Sequence, residues 1–99
     1  MTMKKIRLDN YDLGAVVNCL YNTRGSYPAE KRNEIDGLLL SLIDTHEQMK
    51  PGRRKRIPFQ PEELRLISFC LNDWRNAFLS AGEDIKAEVV AEIMIKFIA

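Results

Sequence analysis

Apolar residues recur at helical spacing along almost the whole chain, and that periodicity constrains the fold more than any motif does. Leu13, Val16, Val17, Leu20 and Tyr21 share one face of a helix expected from about Asn10 to Arg24. Asp9 suits its N-cap, Leu8 and Leu13 stand where a hydrophobic staple would, and Gly25 supplies a stop. A second helix is expected from near Pro28 to about Lys50, with Ile35, Leu38, Leu39, Leu42, Ile43, His46 and Met49 as its stripe, before Pro51-Gly52 ends it. The third has Gln60 as cap, Pro61 as first residue and Phe59 with Leu64 as staple; its face is Leu64, Ile67, Cys70, Leu71, Trp74 and Phe78. The fourth, from about Glu83 to Ile98, is apolar around most of its circumference and leaves Glu88, Glu92 and Lys96 as a polar stripe. Lys4 to Leu8 is the one candidate strand.

The two halves also match each other. A shift of 51 positions carries Asp12-Leu13 onto Glu63-Leu64, Val16 onto Ile67, Cys19-Leu20 onto Cys70-Leu71 and Arg24 onto Arg75. With four extra residues in the second half, Ile35–Ile43 falls on Val90–Ile98. The expected fold is all-α: a four-helix bundle built from two repeated helical hairpins. It forms a single domain over residues 1–99, with hairpin 1 over about 9–50, a basic connector over about 51–59 and hairpin 2 over about 60–99.

The connector is the most conspicuous polar feature. Lys50, Arg53, Arg54, Lys55 and Arg56 gather five positive charges in seven residues, bracketed by Pro51-Gly52 and Pro58, so an exposed loop is expected. Such a cluster can contact phosphates, dock onto an acidic protein, or simply offset the acidic second helix. That helix carries five acids and two bases between Glu30 and Glu47, so the formal net charge of +1 conceals strong local fields. A DNA-reading helix-turn-helix around Ser80-Ala81-Gly82-Glu83 is disfavoured, because the helix that would enter the groove presents Glu83, Asp84, Glu88 and Glu92 to phosphates.

Other residues have two readings each. His46 on the second helix is either a proton shuttle or ligand, or an inward histidine bonded to a neighbouring oxygen. With one histidine and two cysteines 51 residues apart, no metal or other cofactor is expected. Arg24 and Arg75 either cap the ends of their helices or converge on an anion or a partner's carboxylates. Leu40 and Phe69 project away from their own stripes; with Met94, Ile95 and Ile98 on the fourth helix they form a candidate interface, for a homodimer or another protein.

Arg32-Asn33-Glu34-Ile35-Asp36-Gly37-Leu38-Leu39-Leu40-Ser41-Leu42 is similar to the opening helix of small all-helical chorismate mutases, a resemblance that implies a dimeric helical enzyme. The basic residue that family would place a turn further on is missing, since Asp44, Thr45, His46 and Glu47 stand there. Trp74-Arg75-Asn76-Ala77-Phe78 followed by Gly82 and an apolar helix resembles small bacterial proteins and implies no activity.

The expected function is therefore non-catalytic: a small cytoplasmic module that binds another protein and self-associates. The alternative is a nucleic-acid accessory protein that uses residues 53–56. Asp9-Asn10-Tyr11-Asp12 follows the basic start where an export signal would need an apolar run, and Ile35–Ile43 is too short to span a membrane, so no membrane association is expected.

Overall fold

The computed structural model describes residues 3–98. The order is β1 (Lys4–Asp9), α1 (Asn10–Thr23), a single 3₁₀ turn (Arg24–Ser26), α2 (Ala29–Gln48), β2 (Arg54–Phe59), α3 (Pro61–Ser80) and α4 (Asp84–Ile98). The chain is mostly helical, as its periodicity predicts, with one small two-stranded sheet.

That sheet corrects the expected connector. Only the stretch around Pro51-Gly52 turns, with Gly52 at φ +78° and the Arg53 N–H donating to the Lys50 carbonyl at 3.2 Å, the Pro-Gly arrangement of a type II turn. Arg54–Phe59 then pairs antiparallel with Lys4–Asp9, from Lys4 opposite Phe59 through Ile6 opposite Ile57 to Asp9 opposite Arg54. Pro58 does not prevent this, because both strands of a two-stranded ribbon are edges and proline is tolerated there.

Ile6, Leu8, Ile57 and Phe59 face the helices and are buried. They meet Leu13, Val16, Cys19 and Leu20 of α1, Ile35 of α2, and Ile67, Cys70 and Leu71 of α3 in one core. Phe59 reaches α4, where its ring meets Phe97 edge to face at 5.6 Å. Helix α1 packs on α2 and α3, and α3 packs most extensively on α4.

The ends of the helices follow the expected chemistry. The Asp12 N–H donates to Asp9 Oδ1 at 2.7 Å, and that bond holds the Asp9 carboxyl below its usual range. Glu63 accepts from the Gln60 N–H at 2.7 Å, with Pro61 opening α3. Helix α3 ends in a Schellman arrangement: Gly82 at φ +75°, Glu83 N–H to the Phe78 carbonyl at 2.8 Å and Gly82 N–H to Leu79 at 3.1 Å. Lys96 near the end of α4 donates to the largely buried Asp12 carboxylate and so ties the last helix to the start of the first.

No helix among the described residues is long and apolar enough to cross a membrane.

Candidate functional site

The β1–β2 ribbon has an outer face, and its side chains follow from the period-two alternation of the strands. With Ile6 and Ile57 turned inward, the outward pairs are Lys5 with Pro58, Arg7 with Arg56, and Asp9 with Arg54. Lys5, Arg7, Arg54 and Arg56 are all exposed. Residues directly opposed on neighbouring strands have Cβ atoms about 5 Å apart, so Arg7 and Arg56 rise from adjacent positions in the middle of the face. None of these four side chains makes a salt bridge among the described residues. Asp9, the one acid in the two strands, is occupied by its helix cap.

Lys4 and Lys55 lie at opposite ends of the ribbon's inner side and are exposed. Lys50 and Arg53 extend the positive charge into the turn before β2. The strands hold six of the chain's 15 Lys and Arg residues and one of its 14 acids, so the remainder of the molecule is net negative by four. The charge separation is spatial as well as sequential. A basic edge charge also keeps an exposed strand from pairing with other chains. Blunting an edge, however, does not call for like charges opposed to each other at its centre, an arrangement that costs stability.

Arg53, Arg54, Lys55 and Arg56 thus belong to a strand and its turn. Lys5 and Arg7, absent from the sequence-based expectation, complete the outer face with Arg54 and Arg56. The signal that could have found them is the 51-residue shift continued backwards, which carries Ile6 onto Ile57 and Leu8 onto Phe59.

Arg24 is engaged elsewhere. Its Nε and one terminal nitrogen donate to the two carboxylate oxygens of Asp36 on α2, at 2.6 and 2.7 Å. The bond raises the guanidinium's pKa and lowers that of Asp36. Arg24 therefore fastens the α1–α2 corner, while Arg75 is half-buried on α3 without a salt bridge among the described residues.

Leu40, Phe69, Ile95 and Ile98 are well exposed, and Met94 is partly buried against the core. They stand on three different helices. Trp74 and Phe78, expected inside, are partly buried and form a tilted pair at 5.0 Å. His46 is half-buried beside α1 and packs close to Gly14, where an added Cβ would lie 3.2 Å from Nε2 and push the ring aside by a few tenths of an ångström. Cys19 and Cys70 are free and buried, and burial raises both thiol pKa values, so neither is set up as a nucleophile. Tyr27, beyond the 3₁₀ turn, donates its hydroxyl to Asp73 on α3, and partial burial together with that bond pushes its pKa upward.

In comparisons with known proteins, no family model, no curated protein and no solved structure matches this chain.

Proposed function

We propose that the chain is a non-catalytic cytoplasmic DNA-binding protein that lays the outer face of its β-ribbon in the major groove. The observation that carries this reading is the Arg7–Arg56 pair at the centre of a basic face on which Asp9, opposite Arg54 and already capping α1, is the one acid. A major groove about 12 Å wide admits a two-stranded ribbon whose strands lie about 5 Å apart. Arginine side chains standing off such a ribbon can contact the O6 and N7 acceptors of guanine, while Lys50, Arg53 and Lys55 are placed at its margins for phosphates. The narrow major groove of double-stranded RNA would not admit the same side chains.

A duplicated architecture supports the same reading. The chain runs as two β-α-α stretches, each a strand followed by two helices, and the antiparallel pairing of the ribbon is symmetric about Ile6 and Ile57. Those residues are related by the same 51-residue shift as α1 and α3. A DNA duplex has approximate dyads of its own, and a two-fold ribbon can address both strands equivalently.

Fluorescence anisotropy with a labelled DNA duplex at low salt tests the proposal. Binding is expected to weaken with salt, with a slope of log K on log salt of about −3.6 to −5.4 for about four to six phosphate contacts. Replacing Lys5, Arg7, Arg54 and Arg56 together by Ser is expected to lower affinity on the order of 100-fold and flatten that slope. Undiminished binding by this variant, or no binding at low salt, sinks the reading.

A second reading, a self-associating protein-interaction module, rests on the exposure of Leu40 (69%) and Phe69 (59%), which stand among several large apolar side chains left in solvent. Light scattering on the wild type and on Phe69→Ser tests it. A dimer that dissociates in the variant is the expected result, and a monomer at all concentrations rejects it.

A further inference from the structure

On another side of the molecule, the start of α1, the end of α2 and the facing parts of α3 and α4 enclose an open cleft of about 620 Å³. That volume lies within the range of small-molecule sites. One wall is aromatic, with Trp74 and Phe78 from α3 and Tyr11 from α1. Val89 and Ile93 of α4 supply aliphatic surface. Flat aromatic walls beside branched aliphatic ones suit a planar ring system.

The polar groups are few and of one character. Asn10, Asn18 and His46 offer hydrogen-bonding atoms, and Lys86 supplies a cation. The Lys86 ammonium lies 5.7 Å from the centre of the Phe78 ring, within reach of a cation–π contact, while the side chain stays exposed. Its salt-bridge partner is Glu83, one turn earlier at 2.9 Å, which does not line the cleft. No Asp or Glu lines the cleft, although the molecule away from the ribbon is net acidic. Lys86 is the one charged residue in a lining that is otherwise apolar or neutral, so an anionic group in the cleft competes with Glu83 for its ammonium. We propose that this cleft binds a small planar aromatic anion, with its rings against Trp74 and Phe78 and its charged group on Lys86. The site is separate from the ribbon and does not depend on nucleic-acid binding.

The chain's one tryptophan, Trp74, lies in the wall and makes the test direct. The probes are 1-anilinonaphthalene-8-sulfonate and its uncharged counterpart, N-phenyl-1-naphthylamine. The sulfonate is expected to quench Trp74 emission saturably, at one per chain. Lys86→Met, at an exposed side chain, is expected to weaken the sulfonate roughly threefold or more and leave the neutral probe unchanged. Ala15→Phe and Val89→Phe, which fill the cleft from opposite helices, are expected to abolish both, with folding checked by circular dichroism and thermal melting. Non-saturable quenching, equal effects of Lys86→Met on the two probes, or undiminished binding in a folded cleft-filling variant overturns the proposal. Should both cleft-filling variants fail to fold, the comparison of the two probes on Lys86→Met still decides it.

Discussion

On its inner face the β1–β2 ribbon buries Ile6, Leu8, Ile57 and Phe59, none more than 5% exposed, whereas on its outer face Lys5, Arg7, Arg54 and Arg56 stand in solvent. The same twelve residues thus hold the most dependable and the least self-consistent contacts in the molecule. A two-stranded sheet is marginal in water by itself, so the pairing survives because its inner side chains are part of the helical core. With stability supplied from below, the outer face can hold charges that work against strand pairing. That division of labour explains how a chain with a formal charge of +1 carries so concentrated a positive surface.

The sharpest way to break the comparison is Phe59→Ala. It removes a fully buried ring that also meets Phe97, and a loss of about 3–5 kcal/mol is expected in urea unfolding. A loss below about 1 kcal/mol would show that the ribbon is not anchored from its inner side. Asp9→Ala comes next. It deletes the α1 cap at the end of the outer face and should cost about 1 kcal/mol by the same measurement. An intact unfolding midpoint would mean that this carboxylate contributes only charge.

Arg56→Glu asks the converse question of the outer face. Opposite Arg7 it replaces repulsion with attraction, and a gain of about 0.5 kcal/mol is expected alongside a loss of DNA affinity. A protein destabilised by this change would refute the claim that the face is held against its own electrostatics.

The smallest effect is a pH dependence. Asp9 and Asp36 both have folded-state pKa values below the 3.8 of the free group, so each contribution is complete above about pH 4 and disappears as pH falls through the lowered value. Urea midpoints across that interval should decline less steeply in Asp36→Asn than in the wild type.

The helices were legible in the sequence because their signals are local: Asp9 and Gln60 start them, Gly82 stops one, and apolar spacing fills the interior. The ribbon was not, for a physical reason. Ile57-Pro58-Phe59 alternates over too few residues to stand out, proline and glycine nearby signal a loop, and the partner strand lies about fifty residues away. What pairs with Arg56 is decided by tertiary structure. The candidate site was therefore half visible: the cluster at 53–56 was found, but its conversion from a flexible run of charge into a patterned surface required β1. Arg24 was recognised as unusual without its partner, since Asp36 occupies a helix position with no periodic signature.

The pairing of Ile6 with Ile57 also has a consequence in time. During synthesis β1 emerges first, yet its hydrogen-bonding partner is still unmade while α1 and α2 are completed. At roughly 5–20 residues per second the strand waits several seconds with Ile6 and Leu8 exposed. Ribbon formation therefore waits for α1 and α2 to be made, and when β2 appears α3 and α4 are still to come. The surface proposed to read DNA would thus not exist until more than half of the chain had been made.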